Sequence, residues 1–384
     1  MLPRATAMRT TNDRHVSSGA PLTIRSIRSR AVSVPMRFAL GTSAQAVRSA
    51  PLLLIDLETE EGVTGRTYLF CYMPRGAALV ARVLDEAAGA IQGEAIEPAH
   101  IRETIGAKLA RRFRLIGTSG VVGMTLSAID VACWDALAIA AGKPLVEFLG
   151  GKREAIRAYN SNGLGLMPPE KLADEAEKLL EGGFRGVKLR LGYDTLAGDL
   201  AALRAVKKRL PAEVAIMADY NQALTVEEAL ERGRALDGQG LAWIEEPIEH
   251  DDYAGCARIA RELATPIQIG ENFAGVNAMA TAIAAQAADC MMPDVMRIGG
   301  VTGWLRAASL AAAAKIPLSS HLLPEVSAAL LAVSPTAQWL EYVDWASAIL
   351  AEPMRVVNGT LTPPDVPGSG IRWNEEGVTR YRME

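Results

Sequence analysis

Apolar and polar positions along the chain change rhythm three times. From about Leu22 to Asp56 the texture is strand-like. Ile24 to Val34 alternates apolar with polar residues, and Leu52 to Leu57 is a nearly unbroken apolar run. Between them, Pro35 to Pro51 carries Gly41, Thr42, Ser43 and Ser49 and reads as a long loop. A loop of that length inside a compact domain is usually functional or mobile. From Ala77 to Ala141 the apolar spacing turns helical and predicts helices over 78–91 and 123–141. Strands followed by helices indicate an α+β unit, expected over 21–148.

After Gly150 the two rhythms alternate. Strands are expected at 155–159, 186–190, 214–219, 241–245, 267–271, 289–294, 317–321 and 338–341. Helices are expected between them, the last a short one at 324–332. Eight short strands joined by crossover helices predict a closed parallel sheet. The fold class is α/β: a modified (β/α)7β barrel of TIM type over 149–350, with an α+β capping domain. The Pro- and Gly-rich segment 351–384 is expected to pack back on the cap, and residues 1–20 to form a disordered tail.

Composition narrows the field. The 384 residues are 49% hydrophobic, enough for a large core. A net charge of −4 gives no electrostatic case for nucleic acid or an anionic membrane as partner. Cys71, Cys133, Cys256 and Cys290 are scattered, with no CxxC pair, and read as buried reduced thiols of a cytoplasmic protein. No stretch reads as long and apolar enough to span a bilayer, and the first twenty residues lack the apolar centre of a secretory signal.

The polar residues then fall into a pattern. Each expected barrel strand is apolar until its C-terminal end. There stand Lys188 and Arg190, Asp219 and Asn221, Glu245, Glu271, Asp294, His321 and Glu341, strand by strand. That end is where barrel enzymes build their sites. Asp219, Glu245 and Glu271 occupy three successive strands. Three converging carboxylates repel one another unless a cation neutralises them, and hard oxygen donors select Mg²⁺. Asp294 beside His321 would fix the imidazole tautomer and raise its basicity. Lys188 and Arg190, two apart on a strand, point to one side.

In order, VKLR, IMADYNQ, WIEEP, IGEN, MMPDVMRIGGVTGW, SSHL and TAQWLE, with APLLLIDL and TYLFCYMP nearer the start, make the chain resemble the mandelate racemase subgroup of the enolase superfamily. The resemblance covers nearly everything after the first twenty residues. It implies that Asp219, Glu245 and Glu271 hold Mg²⁺ and that His321 is a catalytic base partnered by Asp294. It implies that Lys188 neutralises a substrate carboxylate and that Glu341, as an acid, hydrogen-bonds it. Ser161 and Asn221 become candidates for orienting a 2-hydroxycarboxylate. Leu40, Val47 and Tyr72, with Phe70, Leu322, Leu323 and Val343, match an apolar pocket. A homo-oligomer, in size an octamer, is implied as well. The chemistry the resemblance implies is removal of an α-proton to give an enediolate, stabilised by the metal, Lys188 and a protonated Glu341.

One position departs from the family. Its second barrel strand carries Lys-x-Lys, the second lysine being the base opposite the histidine. Here the triplet is Lys188-Leu189-Arg190. With a pKa above about 12, arginine starts roughly 4–7 kcal/mol behind a lysine tuned to near 7–8. Two reactions follow. One is racemisation or epimerisation of an aryl or otherwise apolar 2-hydroxy acid. The other is dehydration of an acid sugar, with His321 both taking the α-proton and helping to expel a β-hydroxyl. Leu40, Ala44 and Val47 on the expected lid favour the first; Arg37, Gln45 and Arg48 on the same lid speak for the second. Arg297, where the family usually has lysine, keeps the charge. A non-catalytic barrel has no use for the full set of strand-end groups, and the acidic mouth argues against a phosphate nest at 297–300.

Overall fold

The computed structural model describes residues 21–41 and 46–383. The expected disordered tail, and Ala44 and Gln45 of the expected lid, lie outside the described residues.

Strands β1 (Leu22–Gly41), β2 (Ala46–Thr59) and β3 (Thr64–Phe70) form an antiparallel sheet, and a two-residue β4 (Ala95–Ile96) pairs with the start of β1. Segment 35–51, expected as a loop, is instead antiparallel strand in its described residues 35–41 and 46–51. Pro35 pairs with Ser49, Leu40 with Val47 and Gly41 with Ala46, with a register shift between Pro35 and Leu40. The shift bends the paired strands without freeing them. It carries Leu40 and Val47 out over the barrel, and Leu166 N donates to Gly41 O there. Strand β3 has no counterpart in the sequence reading.

Helices α1 (Pro74–Ile91) and α2 (Gly120–Ala140) complete the cap. By length and composition α2 is long and apolar enough to cross a membrane, which corrects the expectation that no stretch is. It is a core helix: 83% of its most apolar 18-residue stretch is buried inside the protein. Gly65 makes this possible: a Cβ there would collide with the carbonyl of Ala132, so only glycine lets β3 lie against the helix. The Asp135 carboxylate on α2 accepts from the amides of Arg66 (2.8 Å) and Ser369 (2.6 Å).

The barrel strands are β5 (Ile156–Asn160), β6 (Gly186–Arg190), β7 (Ala215–Asp219), β8 (Leu241–Glu245), β9 (Ile267–Ile269), β10 (Cys290–Met291) and β11 (Leu340–Tyr342). They run in the order β10-β9-β8-β7-β6-β5-β11. Segment 317–321 is no regular strand, yet it closes the ring. Met291 bridges to Leu318, Asp294 to His321, and Leu318 to Ala337. Backbone bonds run from Ser319 N to Met291 O on one flank and from Ser320 N to Trp339 O on the other. Beneath the site the barrel is plugged by Tyr159, Met217, Trp243 and Trp339. A Cβ on Gly186 would press on Tyr159, Met217 and Trp339, so the plug needs glycine there.

Cap and barrel are joined by the buried bond from Tyr68 Oη to Glu325 Oε2 (2.8 Å). The C-terminal segment lies across both. Trp373 Nε1 donates to Asp56 of β2 at 2.8 Å and Met383 N to Ala31 of β1, while Thr360–Leu361 pairs with β5. All four cysteines are buried and free.

Candidate active site

Strand geometry decides what meets at the C-terminal end of the barrel. Lys188 and Arg190 share the inward face of β6, with Leu189 turned to the helices. Asp219 and Glu245 end β7 and β8 in register with one another, and Glu271 follows β9 after Gly270. One carboxylate oxygen from each of the three can lie within 4.8 Å of the others.

Lys188 sits among them, 2% exposed. Its Nζ is 2.6 Å from Glu245 Oε1, 2.8 Å from Glu341 Oε1 and 3.1 Å from Asp219 Oδ2. Burial opposes its charge, but the three carboxylates outweigh burial and raise its pKa well above the ordinary lysine value. Glu245 is buried against its charge. Burial lifts its carboxyl to about 8 against the pull of Lys188, with Asp219 and Glu341 adding to the rise. Its second oxygen accepts from Trp243 Nε1 (3.0 Å) and Gln268 Nε2 (3.2 Å), so the barrel plug orients it. Asp219 accepts from the backbone and side-chain nitrogens of Asn221 at 2.8 and 3.1 Å.

His321 Nδ1 is 2.9 Å from Asp294 Oδ2, and Asp294 Oδ1 accepts from Met296 N at 2.7 Å. Nε2 faces the cavity, 3.3 Å from Glu271 Oε2 and 3.8 Å from Glu341 Oε2. Burial alone would depress the imidazole; Glu271, Glu341 and Asp294 reverse this and raise it to about 9. For Glu341, burial pushes the carboxyl up, yet Lys188 and His321 hold it at about 2. Leu322 N also donates to it at 3.1 Å.

Arg190 is held differently. Nη1 donates to the carbonyls of Ser161 and Gly163, both at 2.8 Å, and Nη2 to Ser161 Oγ at 2.9 Å. Ser161 therefore lies beneath Arg190, fully buried, rather than on the cavity wall.

These groups open into a cavity of about 230 Å³. Its inner wall has Lys188, Arg190, Asp219, Asn221, Glu271, His321 and Glu341, and its outer wall Leu40, Val47, Phe70, Tyr72, Leu322 and Val343. Glu245 and Asp294 stand behind this wall, and Leu323 belongs to a small neighbouring void. Arg37 is tied at the surface to Glu181 at 2.7 and 3.0 Å and does not face the cavity. Four wall residues had been given no role from the sequence: Trp345, stacked on Phe70 with ring centres 4.3 Å apart, Gln222, Asn272 and Arg297. Asn272 stands within the quoted IGEN run, next to Glu271, which was the available signal. Left-handed backbone recurs around the site: Tyr72, Asn221, Gln222, Glu246, Leu322 and Leu323 all have φ between 37° and 64°. Such left-handed conformations cluster at functional sites because the surroundings over-determine them.

Asp219, Glu245 and Glu271 bring together carboxylate oxygens, a set of hard donors that suits a divalent cation. The fold and site thus define a barrel enzyme with a carboxylate metal site under a separate cap. Residues 24–150 match the family model of the mandelate racemase/muconate lactonizing enzyme N-terminal domain, and residues 171–377 match that of the enolase C-terminal domain-like family. The chain belongs to the enolase superfamily, in its mandelate racemase subgroup.

Among solved structures, an enolase from the alpha-proteobacterium bal199 with bound Mg is 42% identical, covers 94% of this chain and 100% of its own, and superposes with a TM-score of 0.91. An enolase from Bradyrhizobium, complexed with magnesium and mandelic acid, is 40% identical over 95% of this chain and 99% of its own, with a TM-score of 0.90. Among curated proteins, the 3,6-anhydro-alpha-L-galactonate cycloisomerase of Streptomyces coelicolor is 32% identical over 94% of this chain and 99% of its own. The L-talarate/galactarate dehydratase of Salmonella typhimurium is 31% identical over 85% of this chain and 81% of its own. The relatives are racemases, epimerases, cycloisomerases and dehydratases, and the chain is an enzyme of this kind.

Proposed function

We propose that the enzyme removes the α-proton of a 2-hydroxycarboxylate whose C2 substituent is an apolar ring, with His321 as the base. The observation that carries this reading is His321 itself. Its Nδ1 is fixed on Asp294 at 2.9 Å, and its Nε2 points into a cavity acidic and cationic within, apolar without. The Bradyrhizobium structure, which holds mandelic acid, supports the choice of ring.

Asp219, Glu245 and Glu271 would hold Mg²⁺, which when bound supplies a Lewis acid for the substrate's carboxylate and hydroxyl oxygens. Lys188 offers its ammonium to that carboxylate. Glu341, held ionised at about 2 by Lys188 and His321, accepts rather than donates in the arrangement described. A substrate carboxylate drawing Lys188 away would place like charge beside it and raise its pKa, letting Glu341 donate to the developing enediolate oxygen. Leu40, Val47, Phe70 and Trp345 exclude water from the carbanion.

A second reading is favoured by the fixed guanidinium of Arg190, which provides no free base on the opposite face. His321 would then take the proton, return it to a departing β-hydroxyl, and complete a dehydration. Curated relatives such as the Salmonella dehydratase support it. Deuterium incorporation from D₂O into each enantiomer of mandelate, beside a screen of acid sugars for loss of water, tests both. Exchange of one mandelate enantiomer without water loss from any sugar acid supports the first reading. Water loss with no mandelate exchange overturns it.

A further inference from the structure

Arg297 lies on the cavity wall between cap and barrel, and nothing in the proposed chemistry uses it. We infer that Arg297 is a positioning residue that ties Tyr72 of the cap to the metal side of the pocket through Asn272. The inference rests on the reading that Glu271 helps to hold Mg²⁺.

Arg297 Nη2 donates to Tyr72 Oη at 2.6 Å and Nη1 to Asn272 Oδ1 at 2.6 Å. The guanidinium also lies over the Tyr72 ring, 5.1 Å from its centre. Tyr72 belongs to the segment after β3 and holds a left-handed backbone with φ 60°, a strain that needs such an anchor. The contact with Asn272 decides more. A guanidinium only donates, so it can be met only by the amide oxygen, and the amide nitrogen is thereby turned the other way. That nitrogen donates to both oxygens of Glu246 at 2.9 and 3.0 Å and stands 3.4 Å from Glu271 Oε1. Glu246 is 1% exposed, and its neighbour Glu271 has its other oxygen turned to His321. Arg297 thus sets the sense of an amide that steadies two adjacent acids, one of them a metal-ligand candidate. Two acceptors on separate segments need two nitrogens at fixed spacing, which arginine has and lysine lacks.

Groups that orient metal ligands commonly change affinity by about 10–100-fold when removed. Mg²⁺ is titrated by calorimetry into the full-length chain after chelation, and steady-state constants are then measured on the exchanging substrate. Arg297→Met should weaken Mg²⁺ binding by about tenfold or more and raise KM. Asn272→Leu should weaken Mg²⁺ binding to the same extent, and the double variant no further, because both cut one chain of contacts. Tyr72→Phe leaves the Arg297–Asn272 bond in place, so KM should rise while Mg²⁺ affinity stays within about twofold of the parent. A folded Arg297→Met protein with parental Mg²⁺ affinity overturns the inference, as do fully additive losses in the double variant. If Arg297→Met does not fold, Arg297→Lys and Asn272→Leu carry the test, and parental affinity in both overturns it. Glu245→Gln separates the two levels. Parental Mg²⁺ binding in that variant sinks the metal site itself, whereas its loss beside unchanged binding in Arg297→Met sinks only the role of Arg297.

Discussion

His321 and Arg190 stand at the C-terminal end of the barrel on the same cavity wall, and the protein treats them in opposite ways. His321 has one nitrogen fixed on Asp294 and the other facing the cavity. Arg190 gives both terminal nitrogens to the segment after β5, through two carbonyls and the Ser161 hydroxyl. A proton carrier needs one atom held and one atom free. His321 meets that requirement, while Arg190 braces the loop at Ser161–Gly163 and lends the pocket a permanent positive charge. A cation at the right strand end is therefore not yet a base, and the bonds on its far side decide which it is.

The largest expected effect breaks the comparison at its active half. His321→Asn should cut α-proton exchange from the enantiomer it faces by about 10⁴-fold, with calorimetric Mg²⁺ affinity retained. Exchange from both enantiomers at equal and undiminished rates would remove His321 from the reaction. Glu245→Gln comes next and should not respect the comparison at all. Losing one anionic ligand is expected to lower Mg²⁺ affinity and exchange on either face by at least about 100-fold, measured by calorimetry and deuterium incorporation. Retained affinity would show that the three carboxylates do not share a cation. Asp294→Asn is smaller and again one-sided. The amide can present its nitrogen to Nδ1 and favour the wrong tautomer, so the His321 face should slow by about 100-fold with metal binding intact. A slowing equal on both faces would point to general disorder instead.

How much of this was legible beforehand follows from what each signal is made of. Barrel strands read well because apolar runs ending in one polar residue repeat at even spacing, and every strand-end group from Lys188 to Glu341 falls at or just behind one cavity wall. The paired residues 35–41 and 46–51 did not read as strand, because prolines and small polar residues break the alternation there while backbone pairing sustains it. The extent of α2 read well, but its membrane-crossing length and apolarity were missed because Asp130 and Asp135 interrupt its apolar run. The fate of Arg190 was out of reach for a deeper reason. Two of its three acceptors are main-chain carbonyls, which every residue has and no motif announces. Trp345 enters the cavity from beyond the last strand, where spacing arguments had stopped.

The smallest expected effect tests the passive half. Arg190→Lys puts back the ionisable group that the family carries at this place. Lysine is shorter, and its point charge can satisfy one carbonyl well but not two carbonyls and a hydroxyl in one plane. Gly163 O or Ser161 Oγ would lose its partner, so a stability loss of about 1–3 kcal/mol is expected in denaturant titration. The gain is chemical: an ammonium beside the cationic Lys188 is pushed toward deprotonation, which a guanidinium resists. Exchange of the enantiomer whose proton faces away from His321 should then rise, by no more than about tenfold, because the lysine is not placed by a loop that evolved around it. The rate on the His321 face should not change. If the natural protein already exchanges both enantiomers quickly, Arg190 is a competent base despite its bonds. If neither protein exchanges the far face, and a β-hydroxy acid loses water in both, the guanidinium is a clamp and the reaction is dehydration.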